Sequence, residues 1–335
     1  MHSVEEIKNG VYWMGCNDFV TPLFERIFPL PAGVSYNSYF IDDERTCVLD
    51  GIDKSCRDEF LEDVAYLLKG RKLDYFIIQH MEPDHASSAL ALIEKYPDVK
   101  IVGQAQTFKL FEQFYSEDYK ANYHPIGDGD QLDLGKHKLT FVKAPMVHWP
   151  EVFMTYDATD KILFSADAFG MFGTVGNVYA DQVNYEGEYL DEARRYYVNI
   201  VGKYGMQVMN VLKKAATLQI DYICPLHGLV FRTPETIKYI VDKYLHWAQY
   251  VPERKGVIIA FASIYGDTSR AACVLANKLS KLGVNNVYLY DVSKVHPSYI
   301  NAKVWEYSHL VLASPTYNLN LFLPMENLDR KSTRL

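Results

Sequence analysis

The sequence predicts an α/β protein in two parts, the second a doubly wound parallel sheet. Three observations carry this. The chain has 335 residues, and at ~150 residues per domain that suggests two domains. Short apolar runs of strand length alternate with stretches of helical spacing, the order that builds α/β folds. Beyond the polar break Pro252-Glu253-Arg254-Lys255-Gly256, the run Val257–Phe261 is continuously apolar, as in parallel strands buried on both faces. The boundary is expected at about Gln249–Lys255, dividing the chain into residues 1–250 and 255–335.

Taken in order, Asn37–Ile41 and Cys47–Leu49 read as strands joined by the polar turn Asp42-Asp43-Glu44-Arg45. Phe60, Val64 and Leu67-Leu68 have helical spacing within Cys56–Lys69, closed by Gly70. Tyr75–Ile78 is a short apolar strand, Ser87–Tyr96 a helix and Val99–Val102 a strand. Further strands are expected at Gln131–Leu134, Lys138–Val142, Met154–Tyr156, Ile162–Phe164 and Tyr222–Cys224. Glu188–Ala215 reads as one long aromatic helix and Thr233–Tyr250 as another. In the second part, strand Val257–Phe261 precedes helix Arg270–Leu282 and strands Val287–Tyr290 and Leu310–Ala313.

Composition narrows the function. Lys+Arg is 34 and Asp+Glu 42, a net charge of −8, which argues against nucleic-acid binding, since that needs a basic face. No apolar run approaches the ~20 residues of a membrane span, and the acidic start Met1-His2-Ser3-Val4-Glu5-Glu6 lacks the basic flank of a signal peptide. A cytoplasmic protein is expected. The five cysteines, Cys16, Cys47, Cys56, Cys224 and Cys273, include no Cys-x-x-Cys pair. Reduced, buried thiols are therefore expected rather than disulfides or a thiolate zinc site.

One constellation stands out. Residues His80-Met81-Glu82-Pro83-Asp84-His85 hold four metal-ligand types in six positions, directly after the strand Tyr75–Ile78. His148, Asp167 and His227 also follow apolar strands. Strand ends of one sheet converge, so these residues can share a cleft. Taken singly, each is more often structural; Asp84, for example, suits a helix cap. Taken jointly, so many carboxylates and imidazoles buried together would be costly without a cation. His2, His124, His137, His246, His296 and His309 lack this context and read as structural or solvated.

The pattern His80-x-Glu82-x-Asp84-His85, with His148, Asp167 and His227, resembles the metallo-β-lactamase fold in its flavodiiron protein version. The hydrolase pattern His-x-His-x-Asp-His has Glu82 in place of its second histidine. Three carboxylates with four imidazoles suit two iron ions better than catalytic zinc. The resemblance implies an αββα sandwich in which His80, Glu82 and His148 hold one iron and Asp84, His85 and His227 the other, with Asp167 bridging. Phe28, Trp149, Tyr196 and Tyr197 are pocket candidates, although core packing is the commoner fate of such residues.

Two loops in the second part resemble those of a flavodoxin domain. Ser263, Tyr265, Gly266, Asp267 and Thr268 follow one strand and open a helix, a ready anion site. Ser314, Pro315, Thr316, Tyr317 and Asn318 follow another. The resemblance implies FMN, its phosphate in the first loop and its ring in the second. The Asp267 carboxylate would repel phosphate, so only its backbone N–H is expected to serve. Only three clear strands follow Gly256, whereas a flavodoxin-like sheet has five in the order 2-1-3-4-5. The polar, basic end Leu328–Leu335 does not read as a buried strand. The expectation is a partial flavodoxin-like sheet with an incomplete flavin site, from a truncated chain or a frameshifted end.

The resemblance further implies reduction of O2 to water or NO to N2O, rubredoxin or a similar electron donor, and a head-to-tail homodimer or dimer of dimers. Two other readings compete: a dinuclear zinc hydrolase of the same fold, and an iron-binding remnant without a competent flavin site.

Overall fold

The computed structural model describes residues 2–115 and 119–332. Two sheets face each other in the first part. The first begins with the antiparallel strands β1 (Val4–Lys8) and β2 (Val11–Asp18). A small hairpin, β3 (Leu23–Phe24) and β4 (Phe28–Pro29), then stands apart as its own pair. The chain returns to the sheet as β5 (Val34–Ile41) and β6 (Cys47–Leu49), passes through helix α1 (Arg57–Leu68) to β7 (Tyr75–Ile77), and turns through α2 (Pro83–Ala86) and α3 (Ala89–Lys95). Strand β8 (Lys100–Gly103), α4 (Ala105–Phe114) and β9 (Tyr123–Pro125) complete it. The order is β1-β2-β5-β6-β7-β8-β9, antiparallel as far as β6 and parallel beyond it.

The second sheet runs β10 (Gln131–Asp133), β11 (Lys138–Lys143), β12 (Phe153–Asp157), β13 (Ile162–Phe164) and β14 (Tyr222–Cys224), antiparallel except for the β13–β14 pair. Val48, Phe76, Ile77, Ile101 and Val102 are completely buried in the first sheet. At about 1.5–3 kcal/mol per fully buried side chain, such strands anchor the core. The sheets meet through Tyr39, whose hydroxyl donates to the Pro225 carbonyl (2.6 Å) and whose ring lies 5.2 Å from Phe164. Asn37 in β5 donates its side-chain amide to the carbonyls of Pro225 and Gly228, both at 2.9 Å, which holds the loop after β14 in place.

Between β13 and β14 the chain does not form the single helix expected over 188–215. It runs as a π turn (Tyr185–Tyr189), α5 (Leu190–Tyr196), a second π turn (Tyr197–Val201), a 3-10 turn (Gly202–Tyr204) and α6 (Gly205–Ala215). Helix α7 (Pro234–Ala248), capped by the Thr233 side chain, ends against the start of α6. A Cβ on Gly205 would lie 2.4 Å from the Ala248 carbonyl, so glycine at this position lets the start of α6 pass close to the end of α7.

From Arg254 onward a separate three-stranded parallel sheet forms, in the order β16-β15-β17. It contains β15 (Arg254–Phe261), α8 (Asp267–Lys281), β16 (Val287–Asp291), α9 (Pro297–Glu306) and β17 (Tyr307–Ala313). This is the 2-1-3 half of a flavodoxin-like order. A small hairpin, β18 (Thr316–Tyr317) with β19 (Asn320–Leu321), leads into α10 (Leu323–Ser332), which buries Met325 and Leu328. The end, which does not read as a buried strand, is helical through Ser332; Thr333, Arg334 and Leu335 lie outside the described residues.

Several elements escaped the sequence reading. Strand β1 has only Ile7 buried, α4 follows its strand at once, and α9 carries the β-branched and aromatic residues Tyr299, Ile300, Val304 and Trp305. The expectation for the cysteines is corrected: Cys16 and Cys56 form a disulfide (Cα–Cα 6.2 Å). It joins β2 to the turn before α1, across 40 residues of sequence, a proximity that spacing does not reveal. Cys47 and Cys224 are buried free thiols, and Cys273 is exposed rather than buried. Among the described residues no helix is long and apolar enough to cross a membrane.

Candidate metal centre

The centre is assembled at the strand ends. Asp50, just after β6, accepts through Oδ1 from the backbone N–H of Gln79 (2.8 Å) and of His80 (3.3 Å), and so aims the chain leaving β7. Pro83 starts α2, whose first turn presents Asp84 and His85. His148 sits in a tight loop after β11, held by Met146 N–H to the Trp149 carbonyl (2.8 Å). Asp167 follows β13, where Gly170 N–H donates to its carbonyl. A Cβ on Gly170 would stand 3.0 Å from that carbonyl and 3.3 Å from His227 Cβ, so glycine allows the two loops to close together. His227 follows β14 and donates Nδ1–H to the Ser35 carbonyl (2.8 Å), leaving Nε2 to face inward.

All seven side chains are buried and fall into two groups. His80, Glu82, His148 and Asp167 form one; Asp84, His85 and His227 the other. In the first, Asp167 Oδ2 lies 3.2 Å from the Nε2 atoms of both His80 and His148, and Glu82 Oε2 lies 2.9 Å from His148 Nε2 and 3.3 Å from His80 Nε2. In the second, Asp84 Oδ2 lies 3.1 Å from His227 Nε2 and 3.4 Å from His85 Nε2. Asp167 reaches this group with its other oxygen, Oδ1, 2.9 Å from His85 Nε2 and 3.7 Å from His227 Nε2. Ligand atoms about 2.0–2.2 Å from one cation stand roughly 3 Å from each other, which is the spacing found.

The polar atoms fit a cation. Both Asp84 oxygens, Asp167 Oδ2 and His227 Nε2 are buried without a hydrogen-bond partner, and each such atom costs about 1–3 kcal/mol if left uncompensated. Burial opposes charge on His85 and His148, yet neighbouring carboxylates outweigh it and pull both pKa values up to about 9. For His85 these are Asp84 and Asp167; for His148, Asp167 and Glu82. Burial likewise opposes ionisation of Asp167, but His85 and His80 overcome it and hold the carboxyl well below the usual range. The pocket therefore stabilises positive charge among its carboxylates, and imidazole with carboxylate is a donor set for iron.

One residue missed by the sequence reading, Glu151, supports the centre from behind His80, and three of the pocket candidates line or approach it. Glu151, completely buried, accepts through Oε1 from His80 Nδ1 (2.8 Å) and from the Met81 N–H (2.9 Å). Only its place after His148-Trp149-Pro150 could have flagged it. The Trp149 ring meets His80 edge-on at 5.2 Å and the Tyr196 ring lies 5.4 Å from His227. Phe28 packs on Phe172 at 6.0 Å. Tyr197 instead packs on Tyr244 and Trp247, in the core. His137, read as structural or solvated, is buried with Asp157 and Asp160 as a third cluster.

The two loops of the second part leave adjacent strand ends: Phe261 pairs with Ala313, and Ala262 N–H donates to the Ala313 carbonyl (2.9 Å). In the first loop Gly266, at φ 100°, donates its N–H to Ser263 Oγ (3.1 Å) just before α8. Tyr265, Gly266 and Asp267 are exposed, with Thr268 half-buried on the first turn of α8. In the second, Ser314 and Pro315 lead into β18, which carries Thr316 and Tyr317, and Asn318 turns the hairpin at φ 50°. All ten residues thus follow the C-terminal ends of two adjacent strands of the small sheet.

A β-lactamase-like sandwich with a dinuclear-type site, joined to half of a flavodoxin-like sheet, defines the class. The family model described as "ODP family beta lactamase" matches residues 34–228. The chain is 32% identical over 323 residues to the rubredoxin-oxygen oxidoreductase of Megalodesulfovibrio gigas, covering 95% of this chain and 79% of that protein. It is 30% identical over 322 residues to the nitric oxide reductase of Moorella thermoacetica, with the same coverage. The crystal structure of the flavodiiron protein from Giardia intestinalis superposes with a TM-score of 0.92 at 29% identity, over 99% of this chain and 80% of that one. The chain belongs to the flavodiiron protein family.

Proposed function

We propose that this protein is a diiron flavoprotein oxidoreductase that reduces O2 to water, NO to N2O, or both. The observation that carries this is the pair of buried ligand groups sharing the Asp167 carboxylate. In this reading His80, Glu82 and His148 hold one iron, Asp84, His85 and His227 the other, and Asp167 sets the distance between them. When bound, two ferrous ions supply a place for a diatomic molecule and one electron each, and FMN supplies the electrons that restore them. Trp149 and Tyr196 line the histidines with ring surface and exclude water. Ser263, Tyr265, Gly266, Asp267 (through its N–H) and Thr268 surround the FMN phosphate. Ser314, Pro315, Thr316, Tyr317 and Asn318 face its ring.

Residues 1–250 form the metal domain in this reading, and 255–335 the flavodoxin-like one. The donor is rubredoxin or a similar small carrier, in keeping with the name of the M. gigas relative, and the protein works in the cytoplasm. Head-to-tail pairing sets the flavin of one subunit against the iron site of the next. Exposed Phe19, Val20 and Ile27 around hairpin β3–β4, and exposed Tyr265 and Leu319 near the flavin loops, support such a contact. A zinc hydrolase is not favoured: Glu82 occupies the first group, and the relatives are named as oxidoreductases.

The test is anaerobic purification with iron and flavin quantified on one sample, followed by O2 and NO consumption with a chemical reductant. Two irons per chain with consumption of either gas supports the proposal. Two zinc ions with ester hydrolysis would overturn it. Flavin content decides between a working FMN site and an iron-binding remnant.

A further inference from the structure

We infer that Arg195 is the positioning residue that sets the wall of the substrate pocket and ties that wall to the flavodoxin-like part. The inference rests on the proposed function for its kinetic consequence, but its geometry stands independently. Arg195 lies on α5 and is 1% exposed. Its guanidinium donates in three directions: Nε–H to Ser298 Oγ on α9 (3.0 Å), Nη1–H to Glu192 Oε2 (2.7 Å) and Nη2–H to the Pro29 carbonyl of β4 (2.5 Å). Its planar head packs 3.9 Å from the Tyr299 ring and 4.7 Å from the Phe172 ring.

Phe172 passes this anchoring on. Its ring contacts Phe24 at 5.3 Å and Tyr196 at 5.1 Å, and these stand 5.5 Å and 5.4 Å from the His227 ring. Phe24 and the Pro29 carbonyl belong to the same two-strand hairpin, so Arg195 grips that hairpin twice, once by hydrogen bond and once through Phe172. Asn199 reinforces the junction by donating its amide to the carbonyls of Arg195 (2.7 Å) and Ser298 (3.2 Å). A planar fork with a stacking face can make all these contacts at once, and the point charge of lysine cannot. The wall beside His227 is therefore fixed from the second part of the chain.

The test uses the full chain loaded with iron. Arg195→Lys is expected to keep the iron content and kcat while raising KM for the consumed gas by on the order of tenfold, the factor carried by one lost hydrogen bond to a charged group. Phe172→Leu is expected to shift KM in the same sense, and the double variant to be no worse than the more severely affected single variant, because both act along one route. Amide exchange over residues 22–30 should quicken in Arg195→Lys while that of β7 and β8 stays unchanged. Unchanged KM with unchanged exchange in 22–30, or fully additive variants, would overturn the inference. If Arg195→Lys does not fold, Phe172→Leu alone decides by the same KM and exchange readouts. If the native protein consumes neither gas, the functional proposal fails and the exchange result still judges Arg195.

Discussion

Glu151→Gln isolates the part played by a carboxyl that touches no proposed iron. In the native pocket Glu151 Oε1 accepts from His80 Nδ1 and Met81 N–H, and Oε2 has no hydrogen-bond partner. The first contact fixes the His80 tautomer so that Nε2 faces Glu82, His148 and Asp167. Glutamine keeps the volume and one acceptor oxygen, so the loop and the Met81 contact survive; the charge behind the imidazole does not. Losing such a partner typically weakens metal binding 10- to 100-fold, or about 1.4–2.8 kcal/mol. The loss should fall on the His80 group and spare the group of Asp84, His85 and His227. Anaerobic titration of the metal-free protein with ferrous ion against a chromophoric chelator separates the two affinities. Glu151→Ala should be worse, because it strips the acceptor from two buried donors at about 1–3 kcal/mol each. Native affinity at both sites in Glu151→Gln, or equal weakening of both, would refute the reasoning.

Three further outcomes are expected. Asp167→Ala removes the carboxylate shared by both groups, so iron per chain and gas consumption should fall together, as metal analysis and an oxygen electrode can show. His137 offers Nδ1 to Asp157 Oδ2 at 2.8 Å and Nε2 to the Asn9 carbonyl at 3.2 Å. Burial opposes its charge, yet Asp157 raises its pKa. A raised folded pKa stabilises below the unfolded value of about 6.5 and loses that stability as pH climbs through the folded value. Denaturant unfolding should therefore show a native advantage over His137→Gln that is full near pH 6 and shrinks above neutrality; a flat difference would contradict this. The Cys16–Cys56 disulfide closes a loop of 40 residues, worth about 4 kcal/mol in the chain-entropy account. Reductant should lower the unfolding midpoint accordingly, and unreduced unfolded protein should titrate three thiols rather than five.

Much of the centre was legible because its residues sit beside strong local signals. His80, His148, Asp167 and His227 each follow an apolar run, and the runs Tyr75–Ile78 and Ile162–Phe164 match β7 and β13 to within a residue. The break in the helix expected over 188–215 was not legible. The Ala248 carbonyl that packs against Gly205 where α6 begins lies more than thirty residues away. Glu151 was overlooked because one acid after a proline carries no periodic signal.

By itself, the sequence pointed to the layered α/β architecture and to seven candidate metal-binding side chains, since strand length, burial pattern and residue chemistry are local properties. Tertiary structure alone decided which oxygen of Asp167 faces which group, that Cys16 meets Cys56, and that Arg195 grips the hairpin beside His227. Each of these depends on distances of a few ångströms between segments far apart in the chain, and only the packing of the sheets and helices sets such distances.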